Sequence, residues 1–485
     1  MKLQNTELLQ STYFINGRWT QAMSGNTFEV TNPANGEVIT AVADCGPKET
    51  EQAIEAASQA FLPWRKKTAK ERAAIMHRWF YLINENIDDL ALLMTTEQGK
   101  PLKEAKGEIV YGASFIEWFA EEARRIYGDV IPAPTNDRKI ITLKQPIGVV
   151  AAITPWNFPV SMITRKISPA IAAGCTVVLK PAAQTPLSAL ALAHLAKEAG
   201  FPDGVINIVT SSKASEIGKV MTESALVQKF SFTGSTKVGK MLMQQCAATV
   251  KKVSLELGGN APLIVFDDAE IEQAVKGAIA SKYRNAGQTC VCANRLYVQD
   301  GIYDAFMEKY RKAVAALTVG DGTVADIEIG PLIDEEAVKK INRLMGDATH
   351  KGATVTVGGK PHAAGSLFYE PTVLEGCNSE MAVSKEEVFG PVSPIFRFST
   401  ETEAIQLAND TEYGLASYFF TQNLARTWRV AEALDYGIVG INEGIVSTAE
   451  APFGGMKESG IGREGSKYGI EEYLEIKYLC VGGLG

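Results

Sequence analysis

A cysteine among small and polar residues stands at position 290, in Asn285-Ala286-Gly287-Gln288-Thr289-Cys290-Val291-Cys292-Ala293-Asn294-Arg295. Upstream, Ser254-Leu255-Glu256-Leu257-Gly258-Gly259-Asn260 places a lone acid between leucines at the end of an apolar run. A thiol can attack a carbonyl carbon, and a carboxylate whose charge is disfavoured by apolar surroundings can take a proton from water. Together the two groups can make a thioester and hydrolyse it. Free cysteine is more often a small core residue, but polar, flexible Gly287-Gln288-Thr289 argues against deep burial of Cys290. A structural role for Glu256 is harder to find, because Val253, Leu255 and Leu257 surround it.

Such groups need a rigid frame, and the chain supplies one. Short β-rich runs at 148–154, 175–180, 205–210 and 229–233 alternate with helix-like stretches starting near Pro159, Pro186 and Ser215. That alternation predicts an α/β fold with a doubly wound parallel sheet, whose ligands bind beyond the carboxyl ends of the strands. A second α/β stretch opens at Pro262-Leu263-Ile264-Val265-Phe266 and runs to about 455. Two Asn-Gly pairs, Asn16-Gly17 and Asn35-Gly36, predict small hairpins, and residues 48–125 read as helices. The stretches 125–146 and Tyr473–Val481 fit neither unit; as strands they need a partner edge, for which intersubunit pairing is the expectation.

Three further stretches sit at strand ends. Lys180 closes an apolar run before Pro181-Ala182-Ala183, where a nucleotide would bind, although a lysine there can also simply face water. Phe232-Thr233-Gly234-Ser235-Thr236-Lys237-Val238-Gly239 is a strand-to-helix junction whose free N–H groups suit phosphate, or an ordinary helix start. In Pro155-Trp156-Asn157-Phe158-Pro159 an asparagine is rigidly presented; its side-chain N–H can stabilise an oxyanion or cap a helix.

The 485 residues exceed one hydrophobic core, so two or three domains are expected. With 46% hydrophobic and 21% charged residues the chain reads as globular, and a formal charge of -8 gives no electrostatic reason to bind nucleic acid or an anionic membrane. The first residues lack the apolar core of a signal peptide and no membrane-length apolar run follows, so a cytoplasmic location is expected. The seven cysteines are scattered and the four histidines lie far apart, which points to neither a disulfide framework nor a metal site.

In order and spacing these motifs resemble those of the aldehyde dehydrogenase family along essentially the whole chain. Later matches are Glu386-Glu387-Val388-Phe389-Gly390-Pro391 and Pro452-Phe453-Gly454-Gly455-Met456-Lys457. The resemblance implies a cofactor domain over 1–124 and 147–258 and a catalytic domain over 259–458. It also implies a small strand-forming oligomerisation element with the tail, 125–146 and 459–485, and hence a homo-oligomer, dimer or tetramer. Cys290 would be the nucleophile, Glu256 the base and Asn157 an oxyanion donor. Trp156, Lys180, Ala183, Gly234, Ser235, Leu257, Glu387 and Phe389 would contact or position NAD or NADP.

Within the family the sequence is most similar to the succinate-semialdehyde dehydrogenases, through Met162-Ile163-Thr164-Arg165-Lys166, Ser281-Lys282-Tyr283-Arg284-Asn285, Cys290-Val291-Cys292 and Gly462-Arg463-Glu464-Gly465-Ser466. That resemblance implies an anionic semialdehyde as substrate, its distal carboxylate held by Arg165, Arg284 and Ser447. Tyr283 replaces the commoner phenylalanine and is expected to add a polar contact near the site. Glutarate semialdehyde or another short aldehyde acid is the alternative substrate, and a non-catalytic binding protein on this scaffold the alternative class. Ala183 stands where NAD-preferring relatives often carry glutamate, which implies that NADP is preferred. Read as an extended segment, Cys290 and Cys292 share a face at the upper end of disulfide distance, which suggests a strained and readily reduced redox switch.

Overall fold

The computed structural model describes residues 1–484. The first Asn-Gly pair turns β1 (Tyr13–Ile15) into β2 (Arg18–Thr20), with Asn16 and Gly17 at φ 51° and 71°, the left-handed pair that a two-residue hairpin requires. The second lies between β3 (Thr27–Thr31) and β4 (Val38–Ala43), which pair antiparallel. Four helices follow: α1 (Pro47–Lys66), α2 (Ala69–Glu85), α3 (Ile87–Gln98) and α4 (Leu102–Glu122). Thr68 and Glu71 form a reciprocal capping box at the start of α2, and Gly99 ends α3 in the left-handed region.

After β5 (Val130–Ile131) and β6 (Lys139–Pro146) comes the alternating unit. It runs β7 (Val149–Ile153), α5 (Ser161–Ala173), β8 (Thr176–Lys180), α6 (Pro186–Ala199), β9 (Ile206–Ile208), α7 (Ala214–Glu223), β10 (Val227–Thr233), α8 (Thr236–Ala247) and β11 (Lys252–Glu256). The parallel order β11-β10-β7-β8-β9 reverses direction at β7, with helices packed on both faces. This is a doubly wound sheet. All five residues of β8 are buried, as a central parallel strand demands.

The second unit begins with β12 (Ala261–Val265), α9 (Ile271–Tyr283) and β13 (Ala293–Gln299). It continues through β14 (Thr354–Val357), β15 (Thr372–Glu375), β16 (Val392–Phe398), β17 (Ala416–Phe420) and β18 (Ile438–Ile441), in spatial order β14-β15-β16-β13-β12-β17-β18. Its core is a separate cluster.

Two features depart from the sequence reading. Residues of the presumed tail form β19 (Gly460–Ile461), which pairs antiparallel with β11 as an edge of the first sheet. Gly460 permits this at φ 144°, since a side chain there would strike the Leu255 carbonyl. Second, β20 (Leu474–Val481) finds its edge within the chain, pairing with β6 from Leu474 opposite Pro146 to Val481 opposite Lys139. With β5 these make a three-stranded sheet whose Val130, Ile476 and Tyr478 are 77%, 68% and 60% exposed. Among the described residues no helix is long and apolar enough to cross a membrane.

Candidate active site

The loop that carries Cys290 leaves α9 through three left-handed residues, Asn285, Ala286 and Gly287, at φ 53°, 55° and 75°. For a non-glycine residue such backbone costs about 1 to 3 kcal/mol and needs outside support. Asn285 receives it: its N–H donates to Glu104 at 2.8 Å and its Nδ2 to the Asn157 carbonyl at 3.0 Å, while Gln98 Nε2 donates to its Oδ1 at 3.0 Å. At Gly287 any side chain would meet the Gly390 carbonyl. Thr289 to Cys292 then form a turn closed by the Cys292 N–H on the Thr289 carbonyl at 3.0 Å, so the extended segment expected through Cys290 and Cys292 is absent. The turn follows from the need to bend the chain out of the left-handed residues and into β13.

Cys290 is half-buried, whereas Cys292 points inward, its Sγ 3.4 Å from Lys282 Nζ. The Cys290 N–H makes no hydrogen bond within the described residues. Gly259 lets the end of the Glu256 segment approach: a Cβ there would lie 2.5 Å from the Cys290 carbonyl oxygen. Asn157, in the loop after β7, donates through Nδ2 to the Gln288 carbonyl at 3.0 Å. The asparagine, the cysteine loop and the Gly258-Gly259 turn therefore converge. Burial pushes the Cys290 thiol up to about 12, against the pull of Arg165 and, more weakly, Arg284.

Glu256 ends β11, 3% exposed, with one carboxylate oxygen buried and without a hydrogen-bond partner. Burial, reinforced by the like charge of Glu464, raises its carboxyl well above the usual range, opposed by Arg165 and Lys166. Glu464 receives Arg165 Nε at 2.6 Å and Lys166 Nζ at 2.5 Å, and the Arg165 guanidinium also lies over the Phe453 ring, 4.0 Å from its centroid. Reading the motifs gave Glu464 no role. The available signal was Arg165-Lys166 inside a helix that is otherwise apolar and small, because two buried cations demand an anion.

The two arginines thus differ. Arg284 is half-buried near the Phe158 ring, 5.3 Å from its centroid, and its guanidinium has no hydrogen bond or ion pair among the described residues. Ser447 is half-buried in the loop after β18, with no hydrogen bond tying its hydroxyl among the described residues. Tyr283 does not add the expected polar contact at the site. Its hydroxyl turns into the second core, donating to the Thr372 carbonyl at 2.9 Å and accepting from Ser393 Oγ at 3.0 Å, partners that satisfy it once buried.

At the carboxyl ends of the first sheet lie the residues read as cofactor contacts. Lys180 is 2% exposed, and its ammonium has a single acceptor, the Pro181 carbonyl at 3.0 Å. The hydroxyls of Thr154 and Thr233, just past β7 and at the end of β10, are buried without partners. Gly234 leaves no room for a side chain beside the Phe232 ring, and Ser235 caps α8 through Val238 N–H. Leu257 is buried against Gly239, and Ala183 is half-exposed in the turn before α6. Across the cleft the half-exposed Glu387 accepts from Gly259 N–H at 3.2 Å, and Trp156 meets Phe389 edge to face at 5.7 Å between centroids. An under-coordinated ammonium, a glycine at the turn and a helix N-terminus at the carboxyl ends of one sheet fit a dinucleotide with a pyrophosphate. Among the described residues no group of three or more His, Cys, Asp or Glu is placed to hold a metal ion.

The sequence profile described as "Aldehyde dehydrogenase family" matches residues 19–479. The chain belongs to the aldehyde dehydrogenase family. It is 61% identical to the succinate-semialdehyde dehydrogenase [NADP(+)] GabD of Escherichia coli K12, over 99% of this chain and 100% of that one. It is 60% identical to the glutarate-semialdehyde dehydrogenase of Pseudomonas aeruginosa, over 100% of both. Its fold matches the crystal structure of an E. coli NADP-dependent enzyme with a TM-score of 0.99, at 61% identity over 99% of this chain and 100% of that one. The enzyme is therefore an NAD(P)-dependent aldehyde oxidoreductase.

Proposed function

We propose that this aldehyde dehydrogenase oxidises succinate semialdehyde to succinate, with NADP as the preferred acceptor. Cys290 gives its proton to solvent and its sulfur adds to the aldehyde carbon. The new oxyanion is received by Asn157 Nδ2 and the Cys290 N–H, which is free among the described residues. A bound nicotinamide would supply the hydride acceptor, and the acyl group would stay on Cys290 as a thioester. Glu256 then takes a proton from water, the hydroxide adds to the thioester, and collapse releases succinate with the thiol restored. Residues 1–124 and 147–258 carry the cofactor, residues 259–458 the nucleophile.

One observation carries the substrate reading. Arg284 lies within electrostatic reach of the Cys290 thiol, and its guanidinium is not committed to any partner among the described residues. A half-buried guanidinium left free beside a nucleophile suits an anionic end on the substrate, gripped through two parallel N–H donors. Glutarate semialdehyde is the second reading, favoured by the likeness to a glutarate-semialdehyde dehydrogenase. One methylene is worth only about 1 to 3 kcal/mol in a pocket. Assaying short aldehydes with and without a terminal carboxylate, each with NAD and NADP, tests both. Equal efficiency on charged and neutral aldehydes would overturn the reading. The exposed apolar residues of the β20-β6-β5 sheet support assembly into a homo-oligomer, dimer or tetramer.

A further inference from the structure

Gln98 and Lys100, at the join between α3 and α4, take no part in the chemistry above, yet both are buried polar residues. Lys100 is 2% exposed, and its ammonium has three neighbours. They are the Glu108 carboxylate of α4, the Asn157 main-chain carbonyl at 2.7 Å, and the Phe158 ring, whose centroid lies 4.0 Å away. The other oxygen of Glu108 accepts the N–H groups of Val160 at 3.0 Å and Ser161 at 3.1 Å, where α5 begins. A single ion pair thus holds the middle and the carboxyl end of the loop that presents Asn157.

The same join reaches the nucleophile. Gln98 Oε1 accepts the Lys100 N–H at 3.0 Å, and Gln98 Nε2 donates to Asn285 at 3.0 Å. Asn285 returns to the Asn157 carbonyl, so that oxygen receives Lys100 from one side and the nucleophile loop from the other. Burying an ion pair gains little over apolar residues of the same volume, so stability alone does not account for it. Its contacts are directional, and they converge on one carbonyl. A carbonyl held from two sides fixes the Cα from which the Asn157 amide projects, and an oxyanion donor is effective only at hydrogen-bond distance from where charge develops.

We propose that Lys100, with Glu108 as its counter-ion, is a positioning residue for the oxyanion donor: it holds Asn157 through the main chain and so governs the addition of Cys290 to the aldehyde. The proposal rests on Asn157 as that donor.

The test uses the full-length enzyme in excess over aldehyde, following the single-turnover appearance of reduced cofactor. The variants are Lys100→Met, the charge-free pair Lys100→Met/Glu108→Gln, Asn157→Ala, and the charge-free pair combined with Asn157→Ala. The charge-free pair should slow the single turnover about 10- to 100-fold, with aldehyde KM and cofactor Kd within about twofold of wild type. Adding it to Asn157→Ala should slow the reaction no further. Equal slowing in the Asn157→Ala background would place the action of Lys100 elsewhere and overturn the proposal, as would a wild-type rate in the charge-free pair while Asn157→Ala is slow. A wild-type rate in Asn157→Ala would instead sink the oxyanion reading, and this proposal with it. If neither Lys100 variant folds, the pair is an element of the fold and the proposal fails.

Discussion

Arg165 is bound to the buried Glu464 by a 2.6 Å charge-assisted hydrogen bond, whereas Arg284 has no such partner among the described residues. Two arginines that look interchangeable in sequence therefore stand in different states before any substrate arrives. Arg284 can give its donors to a carboxylate without breaking anything. Arg165 is tethered, and its place near Cys290 depends on Glu464.

Arg284→Ala should accordingly raise KM for succinate semialdehyde with little change for a neutral aldehyde of similar length. Loss of one charge-assisted partner costs about 1.5 to 3 kcal/mol, or roughly 10- to 150-fold. Arg165→Ala should also lower stability, by about 3 kcal/mol, because Glu464 is left buried with one cation fewer. Steady-state kinetics on both aldehydes and urea unfolding separate the two effects. If Arg284→Ala slows both aldehydes alike, it does not read the carboxylate.

The division of labour between thiol and acid has its own signature. Cys290→Ala should abolish oxidation, while Glu256→Gln should form the thioester and stall there. Mass spectrometry of the second variant should find an adduct carrying the acyl group. Steady turnover near the wild-type rate would remove Glu256 as the base.

The pH profile follows from burial. Glu256 must be ionised to accept a proton, but burial and then Glu464 hold its carboxyl well above the ordinary range. Its ionisation is therefore displaced to higher pH than that of an ordinary carboxylate, so the rising limb of kcat should lie above the pH at which such a group ionises. Glu464→Gln removes the like charge and leaves Arg165 and Lys166 to favour ionised Glu256, which moves the rising limb to lower pH. For stability the sign is opposite. Although burial pushes Glu464 up, Lys166 and Arg165 hold it down at about 2, below its ordinary 4.5. Its stabilisation is full above the ordinary value and lost as pH falls toward 2. A limb that stays in place in Glu464→Gln would break the link between the two acids.

Cofactor choice is expected to turn on Ala183 and Lys180. No carboxylate at position 183 repels a 2'-phosphate, and the Lys180 ammonium has one protein acceptor. NADP should be the more efficient cofactor, and Ala183→Glu should reverse the preference by about tenfold or more, on the order of 1.4 kcal/mol. Burial lowers the Lys180 pKa to about 8, so its charge is lost above that pH and KM for NADP should rise there. NAD used ten times better than NADP by the wild type would refute this.

Much of this architecture was legible because continuous apolar β-rich runs and period-3.6 patterning decide elements locally. The runs ending at Ile153, Lys180 and Thr233 became parallel strands, and the Asn-Gly pairs became hairpin turns. What stayed hidden depends on contacts between distant segments. Nothing near Gly460 predicts that it would cross the end of β11, nothing near Lys100 says that it touches Asn157, and Tyr283 lost its expected role to Ser393, far along the chain. The turn at Thr289–Cys292 was hidden for a different reason. The residues before it adopt positive φ, a conformation that Asn tolerates and Ala does not advertise.

That turn reshapes the redox reading. An extended pair two residues apart spans about 6.6 Å between Cα atoms, near the limit for a disulfide, and a turn shortens the span. It also sends Cys292 inward, where burial pushes its thiol up and Lys282 pulls it back down by favouring the thiolate. Closing the bond would swing Cys292 away from Lys282 while peroxide takes up the two electrons: two thiols and one peroxide give one disulfide and two waters. Wild type treated with peroxide should lose activity and recover it with dithiothreitol. Cys292→Ala should lose activity without recovery, since its Cys290 has no nearby thiol to resolve a sulfenic acid and oxidises further. Lys282→Met should close the bond more slowly, because less Cys292 is thiolate. Full recovery in Cys292→Ala would show that Cys290 alone accounts for the reversible loss, and the pair would not be a switch.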